Sequence, residues 1–360
     1  MSDIGIAETP DLLTPAWLTA ALSAGGHIGS ARVSEVAHRP LGTGQMCDSF
    51  RLTLRYDDPK AAPAALVAKL PSADGTSRGT AIAMRSYEKE VRFYQQLAPS
   101  LPIAVPKLYY TDIEPASGSF VLLLEDLAPA EQGDQLAGCS PELAAAALAE
   151  LVKLHAPRWG DASLAELDWL YGNPAEGIAM MTMMMPVLWT GFQERYGAAL
   201  EDDVLTAGAA LFGNLERYFV PTKAPTTIVH GDFRLDNLLV VPATSRLRGV
   251  VDWQTCTVGA GLSDVAYFIG AGLVPEVRRE AEPALVRRYH EDLVAAGVRG
   301  YEREQCWQDY RRGSFSGLIM AVGASMMVER TARGDQMFLT MASRHSRHIL
   351  DLDAVDLLAG

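Results

Sequence analysis

Cysteine is scarce and never clustered. Cys47, Cys139, Cys256 and Cys306 are scattered with no Cys-x-x-Cys pair, so they read as reduced structural thiols of a cytoplasmic protein. Basic charge is also in short supply. Lys and Arg number 31 against 44 Asp and Glu, a formal net charge of −13, which argues against a nucleic-acid partner, since such a partner calls for a basic surface. No apolar run approaches the length that spans a bilayer, so no membrane partner is expected. Met1 to Glu8 lack the basic start and apolar middle of a secretion signal. Gly-x-Ser-x-Gly is missing as well: Gly313-Ser314-Phe315-Ser316-Gly317 puts phenylalanine at its centre, which disfavours hydrolysis by a serine nucleophile. What remains is an ordinary soluble-enzyme composition, 49% hydrophobic and 21% charged over 360 residues. That length holds one large core or two modest ones, and a two-lobed molecule is the natural expectation.

One stretch organises the rest: His230-Gly231-Asp232-Phe233-Arg234-Leu235-Asp236-Asn237, followed by Val250-Val251-Asp252-Trp253. Leu238 to Val241 and Arg248 to Val251 read as short strands joined by a turn-rich connection, a hairpin. If Val241 pairs with Arg248, Asn237 and Asp252 face each other at the open end. An amide oxygen beside a carboxylate is a two-point oxygen clamp for Mg²⁺, with water and phosphate in the other positions. Asp232, on a loop made flexible by Gly231, is placed to take a proton from an attacking hydroxyl.

Upstream, Thr14 and Pro15 mark a helix start, and strands begin near Val33. Gly42 and Gly44 lie in a turn between strands, where backbone N–H groups close over phosphates or simply form a hairpin. Lys69 sits in the apolar strand Ala65 to Leu70. It either meets an anionic partner or reaches solvent from an edge. A helix is expected from about Arg78 to Leu97, with Met84, Tyr87, Val91 and Tyr94 on its buried face. Glu88 and Glu90 flank that stripe, and periodicity does not choose between them. Phe120 to Leu127 is a strand running into Glu125 and Asp126. Ser140 caps a helix from Leu143 to His155, and His155 reads as a satisfied structural histidine. The methionine-rich stretch 180–185 reads as core, with an apolar ligand pocket as the alternative. Further helices are expected over about 275–296, 302–330 and 334–358. His345 and His348 have a spacing that permits metal binding, but without a third ligand nearby they read as solvated or packing residues.

The His-Gly-Asp-x4-Asn motif with its later aspartate resembles the catalytic core of the aminoglycoside phosphotransferase and choline-kinase-like family, relatives of protein kinases. His230 to Asn237 and Asp264-Val265-Ala266-Tyr267-Phe268 look most like two of its branches. One is the bacterial phosphotransferase-family proteins, including domains fused to some acyl-CoA dehydrogenases; the other is the ecdysteroid-kinase-like enzymes. The resemblance implies an α+β, bilobal, protein-kinase-like fold. A small antiparallel-sheet lobe with one main helix (1–127) would bind nucleotide, and a larger, mainly helical lobe (128–360) would carry catalysis and acceptor binding. It further implies ATP and Mg²⁺ as cofactors and transfer of the γ-phosphate to a hydroxyl of a small molecule. Gly42 and Gly44 would cover the nucleotide. Lys69, paired with Glu90, would grip its phosphates, and the backbone near Glu125 and Leu127 would meet the adenine. Asp232 is then catalytic, Asn237 and Asp252 hold the metal, and His230 and Asp264 support the loop. One departure stands out: Cys47 occupies the place of the family's third loop glycine. The methionine-rich insert favours a less polar acceptor, such as a macrolide, steroid-like or hydroxyacyl compound, over a polycation. A degenerate kinase fold serving as sensor or scaffold is the alternative, and retention of Lys69, Asp232, Asn237 and Asp252 speaks against it.

Overall fold

Alternating burial along the strands after residue 33 builds a five-stranded sheet. In the computed structural model, which describes residues 4–42, 46–58, 60, 63–242, 244 and 246–359, the strands are β1 (Val33–Pro40), β2 (Cys47–Tyr56), β3 (Ala65–Pro71), β4 (Leu108–Glu114) and β5 (Ser119–Glu125). All pairings are antiparallel, in the order β1-β2-β3-β5-β4. Leu52, Leu66, Ala68, Leu70 and Leu123 line one face and join Leu18 and Leu22 of α1 (Pro15–Ala24) in a core. α1 starts where expected. The Thr14 hydroxyl accepts from the Trp17 N–H at 3.2 Å, a cap worth about 1 kcal/mol.

With period two along a strand, Lys69 points to the opposite face of β3 from Ala68 and Leu70. That face is covered by a helix that differs from the expected one. The segment 78–97 is not continuous: α2 (Gly75–Ala83) and α3 (Ser86–Arg92) are separated by Arg85, whose φ of 57° is left-handed. A left-handed residue cannot continue the right-handed ladder, so the axis restarts and α3 carries Tyr87, Glu90 and Val91 inward. Tyr87 packs on Phe120 of β5 with ring centroids 4.4 Å apart. Residues 1–100, 105–129 and 251–254 form this first structural unit.

The second unit comprises residues 101–104, 130–250 and 255–360. Its helices are α4 (Pro141–His155), α5 (Asp168–Tyr171), α6 (Pro174–Tyr196), α7 (Asp202–Phe212), α8 (Leu215–Tyr218), α9 (Leu262–Gly272), α10 (Pro275–Ala295), α11 (Arg303–Gly313), α12 (Phe315–Met327) and α13 (Ala332–Asp351). α9 is buried from Asp264 to Gly272, and α4, α11, α12 and α13 pack around it. Apolar residues all round a helix are what such a central position requires. The helix expected over 302–330 is two, α11 and α12, parted at Ser314. The last helix stops at Asp351, and a short 3₁₀ turn follows at Ala354–Leu358. The methionine stripe is core only in part. Met185, Trp189 and Phe192 of α6 are buried, while Met180 and Met183 are 54% and 74% exposed. Among the described residues no helix is long and apolar enough to cross a membrane.

Two small sheets complete the unit. β6 (Glu131–Gln132) pairs with β8 (Leu238–Val241), which pairs with β9 (Arg246–Val250); β7 (Thr226–Val229) pairs with β10 (Thr257–Ala260). The hairpin forms, with a register other than the expected one. Val241 lies opposite Arg246 rather than Arg248, and a bulge between Leu239 and Val240 leaves Leu238 opposite Val250. The bulge supplies one residue of the two-residue offset at Val241, and the other is already present at Leu238, which faces Val250 rather than Val251.

Candidate active site

In the strand-built unit a buried charge cluster forms around Lys69. Lys69 lies on β3 between β2 and β5, opposite Ser49 and Leu122, so its ammonium is buried in mid-sheet with no path along an edge. An unpaired charge there would be prohibitive. Glu90 of α3 answers it at 2.6 Å and Asp252 at 3.1 Å. Burial works against the charge on Lys69, but Asp252, Cys47 and Glu90 outweigh it and hold its pKa well above the ordinary lysine value. Glu88, the other candidate, pairs instead with Arg85 at 3.0 Å and Arg92 at 3.8 Å.

Asp252 is one of three non-glycine described residues with positive φ, at 68°. For a residue with a Cβ this costs of order 1 kcal/mol and persists only where the surroundings impose it. The next two residues impose it here. Trp253 stacks on Phe93 with centroids 3.6 Å apart and planes 7° apart, and its N–H reaches Glu90 Oε1 at 3.4 Å. Gln254 donates to Glu90 Oε2 at 3.3 Å and to Cys47 Sγ at 3.1 Å. Cys47 is therefore turned into the cluster, and burial pushes its thiol up to about 12. The place of the third loop glycine is thus a packing position under Lys69. Gly42 has φ 73°, and a Cβ there would meet nothing within 4 Å; Gly44 lies outside the described residues. The Tyr87 hydroxyl donates to the Met46 carbonyl at 2.6 Å and so fixes the entry to β2. Glu125 ends β5, where its N–H donates to the Lys107 carbonyl at 2.9 Å, and Leu127 beyond it is buried.

The helical unit holds a second cluster, on the loop after β7. Gly231 has φ 81°, and a Cβ there would stand 2.6 Å from the Thr255 carbonyl oxygen, so glycine is required. Asp264 in the first turn of α9 binds the loop backbone: Oδ2 accepts from His230 N–H at 2.6 Å and Oδ1 from Gly231 N–H at 3.0 Å. His155 contacts Asp264 Oδ2 at 3.4 Å and the Tyr289 hydroxyl at 2.7 Å, a satisfied buried histidine as expected. His230 is fully buried, and its Nδ1 accepts from the Asp232 N–H at 3.2 Å.

Asp232 itself is surrounded by donors. Tyr267 donates to Oδ1 at 2.6 Å, Arg234 Nε lies 3.1 Å from both oxygens, and Asn237 Nδ2 donates to Oδ2 at 3.0 Å. Asn237 Nδ2 also reaches the Asp232 carbonyl at 2.8 Å, which fixes the amide and leaves its oxygen as the atom to offer a hard cation. Arg234 bridges onward to Asp236 at 2.5 Å. Burial opposes its charge, but Asp232, Tyr267 and Asp236 raise its pKa further above the arginine range. Burial, then the charge of Asp232, drives the Tyr267 phenol well above its usual value.

Lys69, Glu90 and Asp252 thus meet in one unit, and His230, Asp232, Asn237 and Asp264 in the other. Among the described residues no group of three or more His, Cys, Asp or Glu side chains could hold a metal ion. Arg234, Tyr267 and Gln254 were not among the expected site residues. Arg234 lies inside the motif, and Tyr267 is one helical turn after Asp264, so spacing carried a signal for both.

The model of the Phosphotransferase enzyme family matches residues 66–307. Among curated relatives, mouse acyl-CoA dehydrogenase family member 10 is 45% identical over 56 residues, 16% of this chain and 5% of that protein. Human acyl-CoA dehydrogenase family member 11 is 36% identical over 80 residues, 22% of this chain and 10% of that protein. The matched stretches are therefore a small part of those relatives. Among solved structures, an ethanolamine kinase of Plasmodium vivax superposes with a TM-score of 0.53 at 11% identity, covering 94% of this chain and 89% of that one. A microcompartment-associated aminopropanol kinase gives 0.52 at 16% identity, covering 94% and 99%. At such identities the likeness speaks to the fold, which is protein-kinase-like.

Proposed function

This chain belongs to the phosphotransferase enzyme family, and from that membership we propose that it is an ATP- and Mg²⁺-dependent kinase of a small hydroxylated molecule. The observation that carries this reading is the buried Lys69–Glu90 pair at 2.6 Å with Asp252 3.1 Å from the same ammonium. A strand lysine paired to a helix glutamate, beside the metal-binding aspartate, is the arrangement phosphoryl transfer uses. Lys69 would grip the nucleotide phosphates, and the Asn237 amide oxygen and the Asp252 carboxylate are the groups each unit would offer to Mg²⁺. When bound, Mg²⁺ neutralises charge on the phosphates. Asp232 orients the acceptor hydroxyl and takes its proton as the oxygen bonds to the γ-phosphorus and ADP departs. Positioning and electrostatics supply most of the acceleration, because the transition state is loose.

The acceptor we infer is a weakly polar or neutral alcohol. What supports this is the apolar surface of α6, where Met180 and Met183 are exposed. A second reading, a nucleotide-binding sensor of kinase fold, is favoured by one observation: both oxygens of Asp232 are already engaged. ADP release from MgATP with a panel of alcohols separates the two. A kinase turns over at least one of them, and Asp232→Asn lowers that rate about 10²–10⁴-fold with nucleotide binding retained. Equal background rates for both proteins, with tight nucleotide binding, would sink the kinase and leave the sensor.

A further inference from the structure

His345 of α13 is wholly buried, and neither ring nitrogen has a hydrogen-bond partner among the described residues. Leaving buried polar atoms unpaired costs stability, and an aliphatic side chain would avoid that cost. The ring has been given a shaped slot nonetheless. A Cβ on Gly270 of α9 would lie 2.6 Å from His345 Nδ1, and a Cβ on Gly317 of α12 only 2.0 Å from Cε1. Gly317 thus makes room for the His345 ring, and Gly270 for His345 together with His348, whose Nδ1 its Cβ would also meet at 2.6 Å. That ring lies flat against Tyr267, with centroids 5.3 Å apart and planes 3° apart, an offset stack. Tyr267 in turn donates the shortest of the hydrogen bonds at Asp232, 2.6 Å to Oδ1.

We propose that Tyr267, its ring held in place by His345, is a positioning residue for Asp232. The inference rests on the kinase reading of Asp232 given above. Arg234 straddles both carboxylate oxygens and is itself tied to Asp236, so left alone it would draw the carboxylate toward Asp236. Tyr267 pins Oδ1 against that pull. Oδ2 then keeps only its 3.0 and 3.1 Å partners, Asn237 and Arg234, which an acceptor hydroxyl can replace. Asp264 fixes the backbone of the loop, and Tyr267, one turn later on α9, fixes the side chain.

The test uses the full chain as wild type, Tyr267→Phe, His345→Asn and the double variant, with His345→Gln held ready should the asparagine fail to fold. Tyr267→Phe keeps the ring and its stack and removes only the hydroxyl. Ligand-free crystal structures should show Asp232 in one conformer in wild type and in two or more in Tyr267→Phe. With whichever panel alcohol is turned over, kcat should fall about 10- to 100-fold while KM for MgATP stays within about twofold. His345→Asn should fall less, and the double variant no further than Tyr267→Phe alone, because both changes act through one hydroxyl. An unmoved Asp232 in Tyr267→Phe, or a loss shared equally between kcat and nucleotide KM, overturns the proposal; additive losses remove His345 from it. If wild type turns over no alcohol, the kinase reading fails, and the conformer of Asp232 still decides what Tyr267 does.

Discussion

In the strand-built unit a cation sits among carboxylates; in the helical unit a carboxylate sits among donors. Lys69 is enclosed by Glu90, fully buried, and Asp252, whose side chain is 39% exposed. Asp232 is enclosed by Tyr267, Arg234 and Asn237, and its loop is tied to Asp264 through two backbone N–H groups. The first cluster leaves one partner at the surface, so the Lys69–Asp252 contact is the one open to exchange while Glu90 stays enclosed. The second is locked at the backbone, and what can change is which donor faces Asp232 Oδ2. One half is built to exchange a partner, the other to hold an orientation.

That difference breaks most visibly at Lys69. Lys69→Met leaves Glu90 buried beside a carboxylate with no cation, and removing one member of a buried pair costs about 3–5 kcal/mol. Urea unfolding should show that loss. Turnover should fall by about 10² or more, since the lysine–glutamate pair must be in place for phosphoryl transfer. A variant as stable as wild type would mean that Glu90 holds a proton and that the cluster is not a cation among anions. The counterpart in the helical unit is Asp264→Asn. An amide keeps one acceptor and sets an NH₂ group against the other backbone N–H, at a cost of about 1–3 kcal/mol. Hydrogen exchange at His230 and Gly231 should quicken, and ADP release should slow about tenfold through misplacement of Asp232. Unchanged exchange at both amides would show that β7 and Thr255, rather than Asp264, hold the loop.

How much of this was legible depends on how far each feature reaches along the chain. The ties of Lys69 to Glu90 and of Asp264 to the backbone at 230–231 were legible through the family resemblance, and the caps at Thr14 and Ser140 because a cap is a local bond. The break at Arg85 was hidden, since arginine is a good helix former and nothing in its neighbours requires a left-handed turn. The hairpin register was hidden in part because a bulge between Leu239 and Val240 leaves no mark on the apolar pattern. The methionines misled by half, because a stripe shows that residues share a helix face without showing what covers it. Least legible was the Tyr267–His345 stack, which joins side chains 78 positions apart through two glycines on different helices.

The smallest effect separates the units by pH. Burial, with neighbouring His348, Arg278 and Arg344, holds the His345 pKa well below the ordinary 6.5, and burial likewise lowers His348 despite its 2.8 Å contact with Glu282. Both histidines are bases whose folded-state pKa is depressed, so below 6.5 the unfolded chain binds more protons than the native one. Their contribution is complete above the unfolded value and is lost as pH falls through 6.5 toward the folded one. From pH 7.5 to 6.0 His345 should cost at most about 0.8 kcal/mol, and His348 adds a loss of the same sign. The loss should appear in hydrogen exchange of α9, α12 and α13, which surround these rings, and His345→Gln should flatten it. If the five-stranded sheet loses protection to the same extent over that range, acid sensitivity is not a property of the helical unit. The contrast between the two clusters would then have to be drawn from Lys69 and Asp232 alone.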